Sequence, residues 1–283
     1  MSAPSQDTVK TYYDDRIEGK LRDFTAFNPR IEAAVRTLAD WAPQKPKRVL
    51  EIGCGIGATS WRMAKAWPKA EVIGADVSPR SIEVARTCFK LPNLTYFEGF
   101  IEPGVIAGKF DLIVLMDVYE HISVQDRPVL HQTIRELLSD DSRVFVSVPT
   151  PSHLEFLRKH HPLEIQPVDE DVGPLEAHAI AKDTQSELLS YRQVGIWRYG
   201  DYAHFVFGRF SSMSELDCRL RAGHKTLKQQ LKSMVKKAET EVPRNYLGPD
   251  VHSNDSHSQI SKFLVSSEER KTIANFWLGQ SNT

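Results

Sequence analysis

Apolar positions in this chain follow a rhythm that changes near residue 47 and again near residue 151. From Thr11 to Ala42 they recur at spacings of three and four. Tyr12, Tyr13, Ile17, Leu21 and Phe24 form one run, and Ile31, Val35, Leu38 and Trp41 form a second that opens at Pro29. That spacing predicts two amphipathic helices, and Pro43 and Pro46 stop the second. Between residues 47 and 150, short apolar runs alternate with helical stretches. Strands are predicted at Arg48–Ile52, Glu71–Ala75, Leu94–Phe97, Phe110–Met116 and Arg143–Val148, and helices at 61–67, 80–89 and 124–138. Ser78 and Pro79 supply an N-cap and a pre-set first residue for the helix at 80–89. Apolar strands separated by helices belong to a parallel, doubly wound sheet covered on both faces. In such a sheet the ligand crevice lies at the carboxyl ends of the strands.

After Pro151 the pattern turns polar. Residues 152–190 read as helical, with an acidic patch at Asp169–Asp171. Gln193–Tyr199 and Ala203–Arg209 read as strands flanking Gly200-Asp201, an antiparallel hairpin at the sheet edge. A basic helix is expected at about Met213–Thr240, then a polar stretch to about Ser258 and a short terminal helix. The expected organisation is therefore an α/β, Rossmann-like sheet with helical appendages. It comprises a helical lid (1–42), a main domain (43–210) with a substrate-recognition insertion at about 152–190, and a helical extension (211–283).

Composition narrows the partners. The chain has 283 residues with a formal net charge of −1, so no global basic field draws it to nucleic acid. Three cysteines, Cys54, Cys88 and Cys218, are too few and too scattered for a disulfide framework or a zinc site, which fits a reducing, cytoplasmic setting. No apolar run approaches the roughly 20 residues of a membrane span, and MSAPSQDTVK lacks a signal-peptide core.

The chemistry is concentrated where the first strand ends, in Glu51-Ile52-Gly53-Cys54-Gly55-Ile56-Gly57. Glycines there allow a tight turn and the close approach of a bulky ligand. Glu51 is hostile to a pyrophosphate and suits a cationic or hydroxyl-bearing ligand. Asp76 ends the second strand, 19 residues past Gly57, where a carboxylate accepts from ribose hydroxyls.

VLEIGCGIG, VIGADVS, FDLIVLMDVYEHI and RVFVSVP, in this order across about residues 47–150, resemble the class I S-adenosylmethionine-dependent methyltransferases. The resemblance implies S-adenosylmethionine as cofactor, with S-adenosylhomocysteine as product. It implies that Gly53, Gly55 and Gly57 pass beneath the methionine part and that Glu51 orients the loop or meets the amino group. Asp76 would bind the ribose and Val77 the adenine, with Phe100 or Ile101 at the adenine edge; Met116 and Asp117 would line the methionine pocket. The acidic residue that reads the adenine amino group in many members is here either Glu98 or Glu102.

Asp117-Val118-Tyr119-Glu120-His121-Ile122 closes the fourth strand, where similar enzymes line their methionine and substrate pockets. Transfer to oxygen requires removal of the hydroxyl proton, and a histidine with a pKa near the operating pH suits that task. His121 is the candidate base; its bland alternative is packing under the cofactor or capping the next helix. Tyr12, Tyr13, Tyr119, His161, Trp197, Tyr202 and His204 are the candidate substrate contacts, since planar aromatics pack on sugar rings. His160, His161, Asp169 and Asp171 match no strong metal signature, and no metal is expected.

The expected activity is methyl transfer to a hydroxyl of a sugar, a glycan or another small polar metabolite. The 152–204 segment also resembles, less specifically, methyltransferases of glycan biosynthesis. The alternatives are N- or C-methylation of a quinone-like or amine substrate, and a non-catalytic scaffold subunit. RNA or protein amine methylation lacks its Asn/Asp-Pro-Pro-Tyr motif here. The C-terminal helices are a candidate homo-oligomer contact.

Overall fold

The computed structural model describes residues 11–211 and 256–280. Its elements in chain order are α1 (Ile17–Thr25), α2 (Pro29–Trp41), β1 (Arg48–Ile52), α3 (Ala58–Ala66), β2 (Glu71–Asp76), α4 (Pro79–Cys88), β3 (Leu94–Glu98) and β4 (Phe110–Met116). After a 3₁₀ turn at Tyr119–His121 come α5 (Arg127–Leu137), β5 (Leu138–Pro149), α6 (Pro151–His160), α7 (Pro174–Asp183), β6 (Glu187–Val194) and β7 (Tyr202–Arg209). The C-terminal helices are α8 (Ser256–Phe263) and α9 (Ser267–Gln280). The seven strands form one sheet in the order β3-β2-β1-β4-β5-β7-β6. β7 runs antiparallel to β5 and β6, and the other pairs are parallel.

The central strands are buried because they are apolar throughout: Val49, Leu50, Leu112, Ile113, Val114 and Leu115 have no exposed surface. One core lies between the sheet and α1, α2 and α3, built on Ile17, Leu21, Phe24, Val35, Leu38 and Met63. A second lies beneath α5 and α7, with Ile113, Leu115, Ile134, Val146, Ile180 and Phe205. Asn28 caps α2 through the Arg30 amide (3.1 Å) and Ser78 caps α4 through the Ser81 amide (3.0 Å), each ahead of a proline at the first helical position.

Two expectations need correction. The penultimate strand covers Glu187–Val194 rather than Gln193–Tyr199. It is an edge strand whose residues are all exposed or half-exposed, so its sequence carries no inside–outside alternation. Residues 195–200 instead form a loop pinned by Asp201, whose carboxylate accepts from the amides of Ile196 (2.7 Å), Trp197 (2.9 Å) and Arg198 (3.0 Å). The fifth strand also starts earlier than Arg143, at Leu138, running through Asp140-Asp141. The basic helix expected at 213–240 lies outside the described residues. No helix among the described residues is long and apolar enough to cross a membrane.

Candidate active site

The carboxyl ends of β1, β2 and β4 open into a cavity of about 710 Å³, roofed by α1. That size suits a cofactor and an acceptor together. The glycine turn is tied to the neighbouring strand: the amides of Gly53 and Cys54 both donate to the Ala75 carbonyl (2.7 and 2.9 Å). Gly53 (φ +73°) lines the cavity, and a Cβ there would lie 2.2 Å from Val118 Cγ2. Gly55 also lines it. Gly57 (φ +84°) does not. It is the left-handed N-cap of α3, backed by Ala85 and Tyr96, so its glycine is required by packing rather than by a ligand above it.

Two carboxylates face this turn. Glu51 is buried and accepts from the Ser60 hydroxyl. Burial, with help from the charge of Asp76 and against the Ser60 bond, pushes its pKa up to about 8. Asp76 accepts from the Gly55 amide (2.7 Å) and the Ser78 amide (2.9 Å), one per oxygen, and each oxygen keeps lone-pair capacity toward the cavity. Val77, Phe100, Ile101 and Glu102 continue the wall. Of the two acidic candidates, Glu102 lines the cavity, whereas Glu98, the last residue of β3, is half-exposed beside Arg86 (3.9 Å).

At the end of β4, Met116 and Asp117 reach the cavity. Asp117 has a left-handed backbone (φ +55°), an uncommon and strained state for a residue with a side chain, held by its amide's bond to the Ser147 carbonyl (2.8 Å). Its Oδ2 pairs with Arg30 Nε at 3.1 Å, and its Oδ1 is buried without a partner. Burial raises the Asp117 pKa; Arg30 and His121 oppose that shift. Arg30 Nη1 also donates to Tyr202 Oη (3.1 Å).

His121 follows on the 3₁₀ turn. Its Nδ1 lies 2.8 Å from the Val168 carbonyl and 3.0 Å from Asp169 Oδ1. Both neighbours only accept, so Nδ1 carries the proton and Nε2 is the basic atom; Nε2 sits 3.7 Å from Glu120 Oε1. Burial alone would lower the His121 pKa, but Glu120 and Asp169 outweigh it and push it up to about 9. Burial likewise holds Glu120 at about 8. Gln166, Val168, Ile122, Val129 and Leu130 line the cavity alongside His121.

The candidate substrate contacts divide. Tyr13 lines the cavity, with its ring centroid 6.2 Å from that of His121. Tyr12 instead packs edge-on to Tyr13 beneath the Arg16 guanidinium (3.4 Å). Tyr119 is turned into the core, bonded to His131 Nε2 (2.8 Å), because successive side chains of a 3₁₀ turn lie about 120° apart and so Tyr119 and His121 face different sides. β7 is covered on both faces, so Tyr202 and His204 are buried, the first against Arg30 and the second against Thr37 (2.8 Å). His161 and Trp197 are exposed at the end of α6 and on the 195–200 loop, outside the cavity wall.

Arg30 and Lys20 line the cavity and were not singled out in the sequence, whereas Asp169 stood out there only as part of an acidic patch and not as the partner of His121. Arg30 sits in the first turn of an amphipathic helix, where an arginine normally reads as solvated. Asp169 lies 48 positions from His121, and the two segments are brought together by the Glu170 amide's bond to the Glu120 carbonyl (2.9 Å) and by the His121 Nδ1 bond to the Val168 carbonyl (2.8 Å).

Fold, glycine turn and paired carboxylates define a class I methyltransferase domain, and the chain belongs to that family: the family model for a methyltransferase domain matches residues 24–219. S-adenosylmethionine is the cofactor of that family. Among named relatives, the ubiquinone biosynthesis O-methyltransferase of Cereibacter sphaeroides is 40% identical over 107 residues, covering 36% of this chain and 41% of that protein. The trans-aconitate 2-methyltransferase of Afipia carboxidovorans is 26% identical over 145 residues, half of each chain. The chain thus spans half or less of the length of these curated relatives. In structure it is similar to the magnesium protoporphyrin IX methyltransferase of Synechocystis PCC 6803, solved with bound SAH: TM-score 0.58, 17% identity, 72% of this chain and 100% of that one. At that identity the likeness shows the fold.

The cavity suits such a cofactor on its own evidence. Among its lining residues, Asp117 Oδ1 and Gln166 Oε1 are buried acceptors lacking partners, and this favours a cationic, hydroxyl-bearing ligand. Val77, Phe100 and Ile101 offer apolar faces to a flat ring.

Proposed function

We propose that this chain transfers the methyl group of S-adenosylmethionine to a hydroxyl of a small molecule, with His121 as the base. The observation that carries this reading is His121 in the wall of the cavity that Glu51 and Asp76 also line, with Asp169 3.0 Å from its Nδ1. When bound, S-adenosylmethionine supplies a methyl group made electrophilic by its sulfonium. Asp76 accepts from the ribose hydroxyls, and Glu51 and Asp117 face the positively charged methionine end. Val77, Phe100 and Ile101 hold the adenine, with Glu102 at its edge.

The acceptor hydroxyl gives its proton to His121 Nε2. Asp169 and the Val168 carbonyl hold Nδ1–H, fixing the ring and stabilising the imidazolium that forms. Tyr13 closes over this point from the lid. The walls at the acceptor end, Ile122, Val129, Leu130 and Val168, favour an acceptor with an apolar body. The sugar or glycan form of the reading has thinner support, since Trp197, Tyr202, His204 and His161 stand outside the cavity.

The test is incubation with methyl-labelled S-adenosylmethionine and separate panels of phenolic, hydroxy-acid and nucleotide-sugar acceptors. Label in a hydroxyl of one class, lost in His121→Gln while cofactor affinity is retained, supports the reading. Label appearing on nitrogen or carbon, or undiminished turnover in His121→Gln, overturns it.

A further inference from the structure

The C-terminal helices lie beyond residue 219, where the family match ends, yet they reach the cavity: Arg270 of α9 is part of its wall. Arg62 and Arg270 are almost wholly buried, at 1% and 2% exposure, and share the carboxylate of Glu32. Two buried guanidiniums on one carboxylate need further acceptors. Backbone carbonyls at helix ends provide them. Arg62 Nε donates to the Phe263 carbonyl (2.7 Å) at the end of α8. Arg270 donates to the carbonyls of Val265 (3.3 Å) and Phe24 (2.8 Å), the latter in the last turn of α1, where carbonyls have no partner within the helix. The Arg270 guanidinium also lies 3.8 Å from the centre of the Phe27 ring.

The two ends of α1 are therefore held differently. Its C-terminal end is fixed by buried, charge-assisted bonds. Before its N-terminal end, Asp14 accepts from Ser78 Oγ (2.5 Å), and near that end Lys20 donates to Ser81 Oγ (3.4 Å), both contacts to α4 and its cap.

We infer that α8 and α9 are a strap that anchors the C-terminal end of α1, with Arg270 as a positioning residue for cofactor binding, while residues 11–16, ahead of the buried Ile17, swing to admit the cofactor. This rests on the reading that the cavity takes S-adenosylmethionine. Arg270 touches no reacting atom. It acts through Phe24 and Glu32, which line the cavity.

The experiment joins trypsin cleavage and cofactor kinetics of Arg270→Gln with amide hydrogen exchange along α1 in the unaltered full-length protein. In the unaltered protein without ligand, cleavage is expected at Arg16 but not at Arg22 or Arg30, and amides at 21–26 exchange more slowly than those at 12–16. S-adenosylmethionine protects the faster set. Arg270→Gln is expected to expose Arg22 and Arg30 to cleavage and raise KM for the cofactor about tenfold, with kcat little changed; Arg270→Lys recovers part of that loss. Equal exchange along α1, or unchanged KM and cleavage in Arg270→Gln, overturns the strap. The exchange gradient needs no variant to fold. Failure of the unaltered protein to bind S-adenosylmethionine counts against the proposed function, and the ligand-free gradient still decides the anchor.

Discussion

Asp169 Oδ1 stands 3.0 Å from His121 Nδ1, and the two side chains retain only 5% and 10% exposure. A carboxylate so placed fixes the imidazole tautomer and raises its basicity. His121 is pushed up to about 9, so it is mainly protonated at neutral pH, and turnover limited by proton removal is expected to rise with pH until about 9. Asp169→Asn removes one cause of that shift. The inflection of kcat is expected to move to lower pH while the plateau falls by about 10- to 100-fold. A pH–rate profile of both proteins checks this, and an unmoved inflection removes Asp169 from the mechanism. The stability linkage has the opposite sign: the histidine's contribution is complete below its unfolded value of about 6.5 and is lost as pH rises through about 9.

Glu51 yields a second pH effect. Its carboxyl is held at about 8 by burial, so it is largely protonated in the ligand-free protein at pH 7. A cationic ligand beside it favours the ionised form. Binding of S-adenosylmethionine at pH 7 is thus expected to release a proton, and affinity to rise with pH through about 8. Calorimetric titration in buffers of different ionisation enthalpy measures the release; Glu51→Gln should abolish it. Stability runs the other way. A carboxyl whose folded value is raised favours the fold most below the unfolded value of about 4.3 and loses that contribution as pH rises through about 8.

Gly53 separates strain from steric conflict. A Cβ at this position meets Val118 Cγ2 at 2.2 Å, and φ is +73°. Gly53→Ala is expected to destabilise the protein by about 3 kcal/mol and to weaken cofactor binding. Adding Val118→Ala relieves the contact but not the backbone, so about 1 to 2 kcal/mol should remain. Denaturant titration of the two single variants and the double gives the coupling directly. Strict additivity would show that the clash is not the cause.

The Arg30–Asp117 pair joins the lid to the end of β4. Arg30→Gln leaves Asp117 on its strained backbone without its cation, and since the pair is partly open to the cavity, a cost of about 2 kcal/mol is expected rather than the full cost for a buried pair. Burial then acts on Asp117 unopposed by Arg30, so its carboxyl should titrate higher. Carboxyl titration by NMR in the two proteins reads this shift, and an unchanged Asp117 would show that Arg30 does not set its ionisation.

The cofactor half of the site was readable because its signals are local. The apolar strand, the glycine turn and Asp76 are set by short-range geometry, and the parallel, doubly wound sheet follows from the alternation of strands with helices. The acceptor half was not. Tyr202 and His204 read as substrate contacts, but β7 is covered on both faces and buries both, against Arg30 and Thr37. Asp169 finds His121 only through a contact across 48 positions of chain, which spacing cannot reveal. Leu188, Leu189 and Tyr191 lie on an edge strand half-exposed on both faces and resemble a polar helix until the sheet is assembled.

The central claim is that the acidic end of the cavity is built for S-adenosylmethionine. Its most direct test is calorimetric titration of the full-length protein with S-adenosylmethionine, with S-adenosylhomocysteine and with NAD, each beside Asp76→Ala. Saturable binding of the first two, none of NAD, and loss of binding in Asp76→Ala is the predicted result. Binding of NAD alone, or affinity for S-adenosylmethionine that survives Asp76→Ala unchanged, would contradict the account.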